Sequence, residues 1–285
     1  MSNRRDFLRK SLAGAAAAIA APTVLNSASS KPLPSSTRAV GSFKIGYQLY
    51  GIRDLLAADQ EGTMKLVSQL GFEGVEYSGM TNTPAITFRL LQNRYNLPCC
   101  GIHYGLTDYL KTGLNPKMEY NYILGNNDVS CHWLDPPQRG TLENYLSHAE
   151  KFNEYAREYK KNGFNFYYHN HAYEFTEVFN GKYAMDVMLE NTDPALMSME
   201  FHFSGLPAAL DIIKYIEKLG GRLTKLHFPV LDQDGKVELR QDIIDAAKAS
   251  GSCKWFIIEQ NYPDIPATID RLSRSVDVLR DMLNK

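Results

Sequence analysis

From Gly41 onward, short apolar runs rich in β-branched and aromatic residues alternate with longer stretches whose apolar positions recur every three or four residues. The short runs predict strands at 43–49 (FKIGYQL), 74–77 (GVEY), 99–104 (CCGIHY), 128–133 (DVSCHW), 165–171 (NFYYHNH), 196–203 (LMSMEFHF), 223–228 (LTKLHF) and 254–260 (KWFIIEQ). Between them, EGTMKLVSQLG (61–71), LENYLSHAEKFNEYAREYKKNG (142–163), LPAALDIIKYIEKLGG (206–221) and LRQDIIDAAKASG (239–251) predict helices, each closing on the glycine that commonly ends one. Eight strands with intervening helices over residues 41–285 predict an α/β chain of a single domain, a (β/α)8 TIM barrel. A doubly wound open sheet is the alternative, but neither G-x-G-x-x-G nor G-x-x-x-x-G-K-[ST] follows any predicted strand.

Residues 1–40 follow another pattern. Arg4 and Arg5 precede Phe7 and Leu8, and a weakly apolar, alanine-rich run extends from Leu12 to Ala21. This resembles a bacterial twin-arginine export signal, in which the arginine pair addresses a translocase for folded proteins. A membrane anchor is the weaker reading, since the run falls short of the roughly 20 residues a span needs. Processing near Ala21 or Ala28 would leave SSKPLPSSTRAVG (29–41) as a flexible linker. The expectation is an exported, periplasmic protein with no membrane association once the signal is removed.

Composition narrows the ligand. The chain has 285 residues, 44% hydrophobic and 22% charged, with Lys+Arg 31 against Asp+Glu 32 and a net charge of −1. No basic run lies outside the first ten residues, so nucleic-acid binding by counterion release has little to work with. A small, neutral or weakly polar ligand fits better. Cys99, Cys100, Cys131 and Cys253 show no C-x-x-C spacing and read as buried thiols.

The histidines are distributed unevenly. Six of the seven (His103, His132, His169, His171, His202 and His227) fall at or near the ends of predicted strands, whereas His148 lies in a helix. Glu259 ends the eighth strand and Glu76 nearly ends the second. In a (β/α)8 barrel the C-terminal strand ends share one mouth, where chemistry collects. As plain core, YYHNHAYEF (167–175) would bury three successive polar side chains, each costing about 1–3 kcal/mol if unsatisfied. Metal coordination and the bonds around it absorb that cost.

With these residues placed, the chain resembles the xylose-isomerase-like barrel superfamily of sugar (phosphate) isomerases and epimerases, which also includes an apurinic endonuclease. The resemblance covers 41–285 and rests on the order of IGYQLYGIRD, GFEGVEYSG, YYHNHAYEF, MEFHFSGLPAAL, KLHF and FIIEQN. Members usually hold one divalent metal with a Glu, an Asp, a His and a Glu from strands five to eight. Carried over by position, the resemblance implies His169, His202, His227 and Glu259 as ligands. Two of the four depart from the usual residue types, giving three imidazoles and one carboxylate. Such a set favours Zn, Mn, Co or Fe over Mg, which prefers oxygen ligands. The exchange also removes one carboxylate of the usual acid/base pair. Glu259 remains as a base, Glu174 is the nearest replacement for the other, and His171 is expected to support the metal or contact substrate. After His227, Pro229 and Val230 replace a Lys-Asp pair found in many relatives.

The expected substrate-binding residues are Gln48, Tyr50, Glu76, His103, His132 and Trp133, with Arg53 and Tyr77 nearby, since aromatic faces and polar tips suit a carbohydrate. DQDGKVE (232–238) reads as a hairpin-like turn, lacking the alternating ligands of a calcium loop. No Ser-His-Asp order or nucleophile elbow is present. The implied activity is a metal-dependent isomerisation or epimerisation of a sugar by proton abstraction beside a carbonyl. Two alternatives stay open: a lyase or hydratase acting on a keto-sugar or keto-glycoside, and a sugar-binding barrel without catalysis.

Overall fold

The computed structural model describes residues 43–79, 83–260 and 264–285. The export signal and linker read in residues 1–40 lie outside the described residues. The eight strands form where the apolar runs predict them: β1 Lys44–Gln48, β2 Gly74–Ser78, β3 Cys99–His103, β4 Asp128–Cys131, β5 Asn165–His169, β6 Met197–His202, β7 Leu223–Phe228 and β8 Trp255–Ile258. They are parallel and ordered β3-β2-β1-β8-β7-β6-β5-β4, so the chain's first and last strands pair in the middle of the sheet. A helix follows each: α1 Gln60–Gln69, α2 Ala85–Tyr95, α3 Asn115–Leu124, α4 Leu142–Lys161, α5 Ala184–Glu190, α6 Ile212–Leu219, α7 Gln241–Ala249 and α8 Ile265–Leu283.

Between β3 and β4 no ladder of backbone bonds forms among the described residues. The ring closes there through the Ser130 hydroxyl donating to the Ile102 carbonyl at 2.8 Å, and through backbone bonds just past the strand ends, His132 to Tyr104 at 3.0 Å and Leu106 to Trp133 at 2.8 Å. The barrel is therefore nearly closed.

Side chains alternate across each strand. Those facing the helices are apolar and buried, among them Ile45, Tyr47, Val75, Phe166, Tyr168, Met199, Phe201, Leu226 and Phe228. Their neighbours in sequence, including Gln48, Glu76, Tyr167, His169, Glu200, Lys225 and His227, are polar and equally buried, which fills the barrel axis with polar groups. Cys100, Cys131 and Cys253 are buried, Cys99 is partly so, and all four are free thiols.

Two differences from the sequence reading have local causes. The helix expected at 206–221 begins only at Ile212, because the Asp211 carboxylate caps it by accepting from the Lys214 amide at 3.1 Å. A hairpin absent from the sequence reading pairs Val178–Phe179 with Lys182–Tyr183; Asn180 and Gly181 both take positive φ, as a tight two-residue turn requires. The 232–238 segment is a turn as expected, with Leu231 bridged to Val237 and the Asp232 amide donating to the Lys236 carbonyl at 2.8 Å.

Candidate active site

Strand register brings the polar groups to the axis. At two places it slips, between Val75 and Glu76 against β3 and between Met199 and Glu200 against β7. Each slip sits beside a buried glutamate, with the extra residue in the partner strand, Cys100 in β3 and Thr224 in β7. Glu76 accepts from the Tyr167 hydroxyl at 2.9 Å on one oxygen and from Gln48 Nε2 at 3.0 Å on the other. Glu200 Oε2 lies 2.7 Å from His103 Nε2 and 2.9 Å from His169 Nδ1. His103 Nε2 is also 3.1 Å from Glu76, so this imidazole joins the two carboxylates. Lys225 is buried with its Nζ 3.6 Å over the Tyr167 ring and 3.8 Å from Asp128.

Burial alone would strip charge from these groups, but their neighbours restore it. His103 loses basicity to burial yet is pushed up to about 10 by Glu76 and Glu200. Burial opposes the ionised Glu76 as well, while His103 and His227 hold its carboxyl well below the ordinary range. Glu200 is raised by burial and by the charge of Glu76. Lys225, penalised by burial, is raised overall by Asp128, Glu200 and Glu76. His103 and Lys225 thus balance the two carboxylates inside the barrel.

Toward the mouth, the next inward positions of β5, β6 and β7 and the residue following β8 converge. His202 Nδ1 and His227 Nδ1 face each other at 2.9 Å, and Glu259 Oε2 lies 3.6 Å from the first and 3.5 Å from the second. His169, His202 and His227 each offer a ligand atom within 4.8 Å of the others. At this spacing one ring donates an N–H to the other's lone pair, a bond that a cation ligated by both nitrogens would replace. His169 Nδ1 meets Glu200, leaving Nε2, and His227 Nε2 lies 3.4 Å from Glu76. Asn170 fixes the backbone of His202 on both sides, donating to its carbonyl at 2.7 Å and accepting from its amide at 3.1 Å. Burial, and then the neighbouring imidazoles, hold His169 and His202 well below the ordinary histidine value, in the neutral form a metal requires. Burial opposes charge on His227, but Glu259, Glu76 and Glu200 raise it above the ordinary value, so it would release a proton on ligating a metal. Three imidazoles and a carboxylate then suit a divalent cation of borderline softness.

Two cavities meet at this cluster. An inner one of about 300 Å³ is lined by Gln48, Tyr50, His103, His132, Trp133, His169, His171 and Glu259. An outer one of about 650 Å³ shares Tyr50 and Glu259 with it and continues past His202 to Pro229 and the 231–238 turn. Five of the six expected substrate-binding residues thus stand together at the inner cavity. Glu76 does not: it is fully buried and lines neither cavity, since alternation along β2 puts it on the barrel axis, where it meets Tyr167 and Gln48. Glu174, expected as a second acid/base group, lines neither cavity either. It is buried and holds the bend after β5, accepting from the Tyr168 hydroxyl at 2.5 Å and the His171 amide at 2.8 Å, and burial pushes it up to about 8. His171 reaches the inner cavity with its Nδ1 unpartnered, and burial lowers it to about 3. Arg53 stacks on Tyr50 at 4.4 Å, and Tyr77 packs on Phe88 at 4.8 Å.

Glu200 and Lys225 escaped the sequence reading, and Asn170 was read only as one of the polar residues of YYHNHAYEF. For the first two the signal lies in strand alternation: Glu200 stands two residues before His202, and Lys225 two before His227, so each pair shares one face.

No family model matches the chain, and no curated protein does. Solved structures do. A sugar phosphate isomerase/epimerase from Parabacteroides distasonis superposes with a TM-score of 0.70 at 19% identity, covering 87% of this chain and 98% of its own. A D-psicose 3-epimerase gives 0.67 at 13% identity over 85% and 100%. An AP endonuclease of family 2 from Brucella melitensis gives 0.62 at 14% over 82% and 98%. At these identities the likeness establishes the fold: this chain has the (β/α)8 barrel that sugar isomerases, epimerases and an endonuclease share.

Proposed function

We propose that this barrel is a metal-dependent enzyme that isomerises or epimerises a sugar or sugar derivative by moving a proton beside a carbonyl. The observation that carries the reading is the convergence of His169, His202, His227 and Glu259 at the junction of two cavities. The names of the structural neighbours, sugar phosphate isomerase/epimerase and D-psicose 3-epimerase, support the same class.

These four residues would hold one divalent ion, with Zn, Mn, Co or Fe better matched than Mg to three nitrogens and one oxygen. Bound there, the ion would supply a Lewis acid for the substrate's carbonyl oxygen. Glu259 is partly exposed, its side chain 34% accessible, and opens on both cavities, so it is positioned to take the proton. His171, kept neutral, lines the inner cavity as a contact for substrate. Gln48 and His132 offer polar contacts to hydroxyl groups, and Trp133 offers an aromatic face. The large outer cavity favours one second reading, expulsion of a C–O substituent from the same enolate, as in a lyase or hydratase. We also read residues 1–40 as an export signal; replacing Arg4 and Arg5 by lysine should leave the protein in the cytoplasm, and unchanged export would refute that reading.

The test has two parts. Protein purified without chelator should contain one equivalent of a transition metal, and 2-keto or 3-keto sugars should take up deuterium at the carbon beside the carbonyl. Glu259→Gln should abolish exchange. A protein that retains no metal, and whose melting temperature ignores added metal, would be a binding barrel rather than an enzyme.

A further inference from the structure

Building on the sugar reading, we propose that the cleft takes an uncharged substrate of two linked sugar rings, one in each cavity. The geometry makes the argument. The candidate catalytic cluster lies where the cavities meet, with Tyr50 and Glu259 common to both. A molecule acted on there is gripped on either side of the reacting carbon, so that carbon is internal to the molecule. The inner cavity, about 300 Å³, has the lower end of the size range for ligand sites, roughly 300–1,000 Å³. Its walls suit one ring: Trp133 and His171 stand edge to face at 5.0 Å, and Gln48 and His132 supply polar tips. The outer cavity, at about 650 Å³, is more than twice as large and would stand idle with a single ring bound.

Charge then selects the kind of substrate. Neither cavity has a lysine or arginine in its lining among the described residues. The outer one instead carries Asp232, Asp234, Glu238 and Glu259. Asp232 is built into its turn, one oxygen accepting from the Asp234 amide at 2.9 Å and the Lys236 amide at 2.7 Å, so this wall is shaped before any ligand arrives. Guanidinium groups around the cleft are engaged by the protein itself, and Arg271 and Arg274 stand against Gly235 of the 231–238 turn without entering the lining. Arg53 donates to the Tyr50 carbonyl at 3.0 Å, Arg139 stacks on Tyr173 at 4.1 Å, and Arg271 bonds the Gln233 carbonyl at 2.6 Å. Apart from the candidate metal at its inner edge, a phosphate in the outer cavity would meet carboxylates and no lysine or arginine in the lining. Hydroxyl groups would find carboxylate acceptors.

The experiment uses the metal-loaded full-length protein, titrated calorimetrically with glucose, glucose 6-phosphate and four neutral disaccharides: maltose, cellobiose, sucrose and trehalose. At least one disaccharide should bind about tenfold tighter than glucose, and glucose 6-phosphate should bind more weakly than glucose. Ser204→Trp, which narrows the outer cavity, should remove the disaccharide advantage while metal content stays at one equivalent. Asp234→Lys combined with Glu238→Lys, both exposed positions, should raise affinity for glucose 6-phosphate. Disaccharides binding no tighter than glucose, or the phosphorylated sugar binding best to the unaltered protein, overturns this proposal and leaves the sugar reading standing. Metal uptake without binding of any of these sugars overturns both.

Discussion

Glu200 serves two imidazoles with one oxygen. By accepting from His169 Nδ1 it fixes which nitrogen of that ring faces the candidate metal, while Glu76 lies 3.4 Å from His227 Nε2. Replacing such a carboxylate usually costs 10–100-fold in metal affinity. Glu200→Gln, close in shape, should therefore weaken metal binding by about that factor, read by competition with a chelator, while circular dichroism stays unchanged. Undiminished affinity would show that Glu200 only neutralises His103. Glu174 permits a separate measurement by pH. Its folded value, about 8, lies above the ordinary 4.5, so the folded chain keeps a proton that the unfolded chain releases. The resulting stability is complete below the unfolded value and is lost as pH rises through the folded one. The gap in melting temperature between the natural protein and Glu174→Gln should thus shrink as pH climbs from about 5 to about 8. A gap that stays constant would mean that Glu174 is ionised throughout.

At the scale of elements, strands were legible and their irregularities were not. Each barrel strand lies within or close to its apolar run because parallel strands buried on both faces must draw on Val, Ile, Phe, Tyr and Met. The histidines could be placed at the mouth for the same reason, since they end those runs. The register slips beside Glu76 and Glu200 depend on how two strands fit, which no single run encodes. Glu76 could be placed near the site from sequence but not beneath it, and Glu200 went unnoticed between Met199 and Phe201 although alternation back from His202 puts it on the inward face. Gly101 in β3 shows how tightly the core is fitted: a Cβ there would come within 2.2 Å of Glu76 Oε1, 2.4 Å of the Tyr167 hydroxyl and 2.8 Å of Lys225 Nζ. Gly101→Ala should lower stability by about 1–3 kcal/mol, measured by denaturant unfolding, and should weaken metal binding through the displaced Glu76. Full stability in the alanine variant would mean that the polar core has slack.

For the whole molecule, seven of the eight joints between neighbouring strands are ladders, and the eighth, between β3 and β4, depends on one hydroxyl and the backbone beyond the strand ends. Ser130→Ala leaves the Ile102 carbonyl without its partner, at a cost of about 1–3 kcal/mol. Amide hydrogen exchange should quicken at Leu106 and His132 before it quickens in β7 or β8, and uniform acceleration around the ring would contradict this ordering. His103 and His132, stacked at 4.8 Å, straddle that joint. A hoop with one weak rivet dilates at the rivet, so thermal breathing of this barrel should widen the inner chamber first, on the side where His103 and His132 stand.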